Sequence, residues 1–112
     1  MKEDKEIQIL SNVNNLLNEF NNTFSDSDKD IKKMIAETYI SINSPESIKE
    51  EYNAIPMSLG MLNDYLEKKA VAEKYPFTQK QNDIIHEYNN VYSVSFLQSL
   101  GALINGPAFF HP

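Results

Sequence analysis

The sequence FTQKQNDIIHEYNNVY, residues 77–92, contains the clearest helix start in the chain. Thr78 and Gln81 have the Ser/Thr-x-x-Glu/Gln spacing of a capping box, in which each side chain bonds a free backbone N–H of the other residue. The apolar residues that follow recur at helical spacing. They are Ile84, Ile85, Tyr88, Val91, Tyr92 and Phe96. This stretch therefore predicts an amphipathic helix that begins at Thr78.

Two further helices are predicted in the first half of the chain, each from apolar residues spaced three and four apart. The first stripe consists of Ile7, Leu10, Val13, Leu17, Phe20 and Phe24. The second consists of Ile31, Met34, Ile35, Thr38, Tyr39 and Ile42. We expect Ser27 to cap the second helix. This helix should end before Ser44-Pro45, because the residue before proline resists the α conformation.

Residues 46–53 are polar, and we expect only a short helical turn there. A third helix is predicted to open at Ile55-Pro56, since proline is tolerated in the first helical turn, and to close at Lys74-Tyr75-Pro76. Its apolar stripe comprises Ile55, Leu59, Leu62, Leu66 and Ala70, with Tyr65 on the flank.

The chain as a whole is predicted to be all-α. It contains only three glycines, too few for the turns of an all-β domain. Four amphipathic helices joined by short connections favour an antiparallel up-down four-helix bundle. We expect one domain over residues 1–112, with an irregular aromatic C-terminal tail after Gly106-Pro107.

Composition limits the possible functions. The absence of cysteine excludes disulfides and thiolate metal sites. The formal net charge of -6 and the absence of arginine argue against nucleic-acid binding and against attraction to an anionic membrane. No apolar run is long enough to span a bilayer, so no stable membrane insertion is expected. The first residues alternate in charge and predict no secretory signal, so we expect a cytoplasmic protein.

No constellation typical of catalysis stands out. Asp83 and His86 have a metal-ligand spacing, but one such pair forms no closed shell, and we expect His86 and His111 to be exposed. The sequence contains no Gly-rich phosphate loop and no Gly-flanked nucleophilic serine. We therefore predict a protein that is not an enzyme and that has no catalytic residues, no metal and no cofactor.

The apolar residues near the C-terminus allow two interpretations. Phe96, Leu97 and the residues around Gly101 can extend the fourth helix as core, and the aromatic tail can fold back as a plug. Alternatively, this region forms a groove or exposed tail that binds an apolar helix of a partner. On composition, the candidate recognition surface is Leu100, Leu103, Ile104, Phe109, Phe110 and His111.

Two motifs carry a family resemblance. They are Leu59-x-x-Leu62-x-x-Tyr65-Leu66 and, after a basic turn ending in Lys74, Phe77-Thr78-x-x-Gln81-x-x-Ile84-Ile85-x-Glu87. The segment from about Ile55 to Tyr92 is similar to the enterocin A immunity protein family, small cytoplasmic proteins that protect producers of pediocin-like bacteriocins. The acidic first half, the absence of cysteine and the aromatic tail agree with that family.

The resemblance implies self-immunity and antimicrobial resistance. Family members are thought to act from inside the cell on membrane subunits of the mannose phosphotransferase permease that the bacteriocin has captured. Their C-terminal half is associated with recognising the bacteriocin. The matched residues would be scaffold that holds helices three and four together, namely Leu62, Tyr65, Phe77, Thr78, Gln81, Ile84 and Ile85. The alternative is an unrelated helical interaction module, such as an antitoxin or a regulatory adaptor.

Overall fold

The computed structural model describes residues 3–91, and these form four α-helices with no strand among them. The helices are α1 (Glu3–Asn22), α2 (Lys29–Asn43), α3 (Ile48–Val71) and α4 (Gln79–Val91). Within residues 3–91, the prediction of an all-helical fold with four helices is confirmed. Helix α2 ends before Ser44-Pro45, as expected from the restriction that proline places on the preceding residue.

The core lies on the inner faces of the four helices, and α1 is central because it packs against each of the other three. Helix α2 also packs along α3. The predicted apolar stripes supply most of the buried side chains. The fully or almost fully buried ones include Val13, Leu17, Phe20, Ile35, Ile42, Ile55, Leu59, Leu62, Leu66, Ile85 and Tyr88. Burial of this apolar surface is the main contribution to stability.

Side-chain contacts fix the relative directions of neighbouring helices. Asn14 in the middle of α1 bonds Asn43 at the end of α2, whereas Lys32 near the start of α2 donates to the carbonyl of Phe24, beyond the end of α1. Helices α1 and α2 therefore run in opposite directions. Gln81 at the start of α4 donates to the carbonyl of Thr23, which places the beginning of α4 at the end of α1.

Helix α3 begins earlier than the sequence analysis predicted, and residues 48–53 belong to it rather than to a separate turn. Ser47 caps the helix: its Oγ accepts from the Glu50 N–H at 3.1 Å and lies 3.0 Å from Glu50 Oε1. The Ser-x-x-Glu spacing is a capping-box signal that the sequence analysis missed. Pro56 consequently sits inside the helix instead of at its start, a correction to the predicted boundary.

An internal proline costs about 3 kcal/mol, because it has no N–H to donate to the carbonyl four residues earlier. The α3 helix continues through this position because residues before and after Pro56 are buried in the core. Tyr52 before Pro56 is 6% exposed, and Ile55 and Leu59 are completely buried. Tertiary packing thus overrides the local preference of the residue that precedes proline.

Two further details differ from the sequence-based expectations. Ile7 is 44% exposed, whereas Glu6 is 3% exposed and forms an ion pair with Lys49 of α3 at 3.4 Å. Near the start of α1, the buried face of the helix therefore includes Glu6 rather than Ile7. Asp28, rather than Ser27, occupies the N-cap position of α2, and its side chain makes no capping hydrogen bond.

Candidate functional site

The six residues proposed for recognition lie outside the described residues 3–91. They are Leu100, Leu103, Ile104, Phe109, Phe110 and His111. The structure therefore describes the scaffold from which this part of the chain continues, together with the clefts between α1, α2 and α3.

The capping box at the start of α4 is confirmed. The Thr78 N–H donates to Gln81 Oε1 at 2.9 Å, and the Gln81 N–H donates to Thr78 Oγ1 at 3.1 Å. Gln81 is buried, and its amide nitrogen also donates to the carbonyl of Thr23 at 3.3 Å. One side chain therefore caps α4 and links it to the end of α1, which explains why glutamine suits this position.

Aromatic rings pack together beside this cap. The Phe24 ring centroid lies 6.3 Å from that of Phe77 and 6.1 Å from that of Tyr75, and those of Tyr75 and Phe77 are 4.7 Å apart. Such edge-on and tilted pairs stabilise by roughly 0.5–1.5 kcal/mol beyond area burial. Phe77 and Gln81 thus contact the end of α1, a role the sequence analysis did not assign to them.

Helices α3 and α4 are connected by a polar contact. Asn63 Nδ2 donates to Asn89 Oδ1 at 2.7 Å, and Asn89 Nδ2 donates back to Asn63 Oδ1 at 3.2 Å. The buried Tyr88 hydroxyl donates to Asn63 Oδ1 at 3.3 Å, and its burial raises the pKa of Tyr88. Near the start of α4, Asn82 is 1% exposed, and neither of its amide atoms has a partner among the described residues.

The remaining matched scaffold residues occupy two environments. Leu62, Ile84 and Ile85 belong to the core, at most 3% exposed. Tyr65 is half-buried at the side of α3, where the Lys69 ammonium lies 5.7 Å from its ring centroid. Burial raises the pKa of Tyr65, while Lys69 opposes that shift.

Two clefts between α2 and the C-terminal part of α3 are strongly charged. The first, about 330 Å³, is lined by Ser27, Asp28, Lys29, Asp30, Ile31, Lys69 and Tyr75. The second, about 380 Å³, is lined by Asp30, Lys33, Met34, Glu37, Tyr65, Lys69 and Glu73. Lys69 borders both and bonds Glu73 at 3.0 Å, a hydrogen bond that raises the pKa of Lys69.

A third cleft, between α1 and α2, has a different chemistry. Its volume is about 280 Å³, and none of the residues that line it is charged. They are Leu17, Asn18, Asn21, Ile35, Ala36, Tyr39 and Ile40. The Asn14–Asn43 hydrogen-bonded pair spans the same two helices.

The described residues do not bring together three side chains that could hold a metal ion. Asp83 accepts a hydrogen bond from Gln79 at 2.8 Å. His86 is half-buried, which corrects the prediction of an exposed side chain, and His111 lies outside the described residues. Within residues 3–91, no helix combines the length and the apolar character needed to cross a membrane.

The comparisons with known proteins give no relative for this chain: no protein-family model, no curated protein and no solved structure matches it.

Proposed function

We propose that this protein is an immunity protein that protects a producing cell from its own pediocin-like bacteriocin. The observation that carries the proposal is the paired motif from Leu59 to Glu87, which resembles the enterocin A immunity family. In the structure the first motif lies within α3, and the second begins with the capping box of α4. The first motif and the second motif from Gln81 onward therefore lie on helices, whereas Phe77 and Thr78 directly precede α4.

The arrangement of the four helices relative to one another is part of the same proposal. Opposite directions for α1 and α2, the start of α3 beside the start of α1, and the start of α4 beside the end of α1 support an antiparallel up-down four-helix bundle. Beyond Val91, residues 92–112 contain no Asp, Glu, Lys or Arg. We propose that this uncharged segment, with its aromatic tail, contributes the surface that distinguishes one bacteriocin from another.

The proposed partner is a membrane-embedded subunit of the mannose phosphotransferase permease with its bound bacteriocin. The protein would bind this complex from the cytoplasmic side and prevent a lethal pore. Binding, rather than catalysis, is the proposed role, and the described scaffold includes polar groups that bond one another across helices, as in the Asn14–Asn43 and Asn63–Asn89 pairs.

Expression in a bacteriocin-sensitive strain tests the proposal. Cells that produce the wild-type protein should survive at least one member of a panel of pediocin-like peptides, whereas cells with an empty vector should die. Leu62→Asp places a charge at a completely buried position and should abolish protection by unfolding. Met61→Asp, at the neighbouring 61% exposed position, should retain it. Wild-type cells that remain sensitive to every peptide would refute the proposed function.

An unrelated helical interaction module is the alternative, and the charge distribution favours it specifically. All sixteen acidic residues lie between Glu3 and Glu87, which gives the described scaffold an excess of negative charge suited to a basic partner. An antitoxin or adaptor of this kind would bind its partner without any bacteriocin present. A neighbouring gene for a short peptide with a double-glycine leader would instead favour immunity.

A further inference from the structure

The outer face of α3 exposes two large apolar side chains. Met57 is 75% exposed and Met61 is 61% exposed, whereas Leu59 between them is completely buried. The two methionines are four residues apart and therefore lie next to each other on one side of the helix. A Cβ added at Gly60 would meet no atom of the described residues within 4 Å, so the helix surface beside Met61 is open. Exposed methionine is an adaptable contact residue, and covering it with another apolar surface is favourable.

Charged residues flank the methionine pair symmetrically. Glu50 precedes Met57 by seven positions. Lys68 follows Met61 by the same number. Because seven residues are close to two helical turns, all four side chains lie along one stripe. Glu50 is exposed, and the Lys68 side chain is 72% exposed although it pairs with Asp64 at 3.1 Å. The stripe therefore has an acid at its start, an apolar centre and a base at its end.

A second copy of the chain complements this stripe when its α3 runs in the opposite direction. Around a two-fold axis at the level of Leu59, Met57 of one copy faces Met61 of the other. Glu50 then faces Lys68 at both ends of the contact. A parallel arrangement would instead place like charges opposite each other, which is unfavourable. The order of the stripe is thus self-complementary, as a two-fold contact between identical chains requires.

The association should be weak. One helix from each copy makes the contact, which places it among small interfaces, of less than about 1,200 Å², that bind transiently. Each copy also carries a formal net charge of -6, so two copies repel each other at low ionic strength. At about 0.15 M salt the screening length is about 8 Å, which reduces this repulsion.

We infer that α3 mediates a weak two-fold homodimer, in which two antiparallel α3 helices pack through Met57 and Met61 and pair Glu50 with Lys68. The inference rests on the α3 surface and not on the proposed function. The immunity proposal does not depend on the dimer, so either can fail without the other.

Sedimentation equilibrium of the full-length protein tests the association, from about 10 μM to about 1 mM protein in about 0.15 M salt. The average mass should rise with concentration toward twice the monomer mass. Met61→Glu places a carboxylate in the apolar centre and should raise the Kd about tenfold or more. Ile40→Glu is the matched control, because Ile40 is 60% exposed on α2, outside the stripe. It should associate like the wild type.

Lys68→Glu tests the charge pairing separately. It places two acids opposite each other at both ends of the contact and should also raise the Kd about tenfold. Lys80→Glu changes the net charge equally at an exposed position of α4 and should leave the Kd unchanged. Urea midpoints should stay close to that of the wild type, since an exposed ion pair such as Asp64–Lys68 contributes little to stability.

Cysteine cross-linking tests the direction of the helices, because the chain contains no cysteine of its own. A mixture of the Met57→Cys and Met61→Cys proteins should form a disulfide-linked dimer faster than either protein alone. Faster cross-linking of Met57→Cys alone would indicate parallel helices and overturn the inference.

Two sedimentation results would also overturn it. One is a monomer at every concentration. The other is a dimer that Met61→Glu and Lys68→Glu leave intact, because the copies would then associate through another surface. A dimer weakened by both of these variants and by neither control supports the inference.

Discussion

Asn63 of α3 and Asn89 of α4 form a reciprocal pair in which each side-chain amide donates to the oxygen of the other, at 2.7 and 3.2 Å. Asn89 also donates to the carbonyl of Ile85, and Asn63 Oδ1 accepts from the Tyr88 hydroxyl. The observed alignment of the two helices satisfies all these groups at once. Polar contacts of this kind can fix helix register, as a buried asparagine does in coiled coils.

Asn63→Ala should lower the free energy of unfolding by about 1–3 kcal/mol, because the buried Tyr88 hydroxyl loses its acceptor. Urea denaturation measures the change, and Asn53→Ala at an exposed position of α3 is the control, expected within about 0.5 kcal/mol. A double-mutant cycle with Asn89→Ala should give a coupling of roughly 0.5–3 kcal/mol. Additive effects would contradict the reciprocal pair.

Asn82→Leu should raise the free energy of unfolding by about 1–2 kcal/mol. Asn82 is 1% exposed, and its amide atoms have no partner within residues 3–91, so replacement by an apolar side chain of similar shape removes a desolvation cost. The midpoint of urea unfolding reports the change. For comparison, Asn89→Leu should destabilise, because it removes a bonded amide. A destabilised Asn82→Leu protein would indicate that Asn82 makes favourable interactions in the folded state.

Ionisation of Tyr75 should lower the free energy of unfolding at alkaline pH. Burial, and then the hydrogen bond to Asp28 at 3.1 Å, raise the pKa of Tyr75 to about 12, from an ordinary value of 10.0. Because the pKa is higher in the folded state, the protonated hydroxyl stabilises folding. This contribution to the free energy of unfolding is complete below about pH 10 and is lost as the pH rises toward about 12. Urea midpoints measured across this range should fall less steeply for Tyr75→Phe than for the wild type. Tyr39→Phe, on α2, is the control; an unchanged slope in Tyr75→Phe would contradict the assignment.

The sequence predicted the parts of the fold that depend on local signals. The spacing of Leu59, Leu62 and Leu66 predicted one buried face, and the Thr78–Gln81 pair predicted the start of α4. The predicted start of α3 is wrong because proline is typical of a first helical turn, whereas Pro56 lies inside α3. The Ser47–Glu50 capping box was a local signal, but continuation through proline depends on the burial of Tyr52 and Ile55 by tertiary packing.

The α1–α2 cleft could not be predicted from either helix alone. Asn14, Asn18 and Asn21 recur at steps of four and three, which does indicate a shared side of α1. In the structure, Asn14 bonds Asn43 of α2, whereas Asn21 Oδ1 has no partner among the described residues. The sequence alone does not predict this difference. That difference depends on how α1 packs against α2 in the tertiary structure. The proposed recognition residues after Val91 remain predictions.

Deletion of residues 108–112 should leave the helical scaffold folded and weaken protection. Phe109 and Phe110 follow Gly106-Pro107, and burial of each ring against a partner would contribute roughly 1.5–3 kcal/mol. Circular dichroism and urea denaturation report folding, and survival of a sensitive strain reports function. Loss of folding would identify the aromatic tail as part of the core. Full protection by a stable truncated protein would remove the tail from the recognition surface.

Bacteriocin-dependent co-purification with the receptor tests the central claim most directly. The tagged full-length protein would be recovered from detergent-solubilised membranes of sensitive cells, with and without the peptide against which it protects. The account predicts that the membrane subunits of the mannose phosphotransferase permease are recovered with it only after the peptide has been added. Protection without any recovery of these subunits, or equal recovery from untreated cells, would contradict the account.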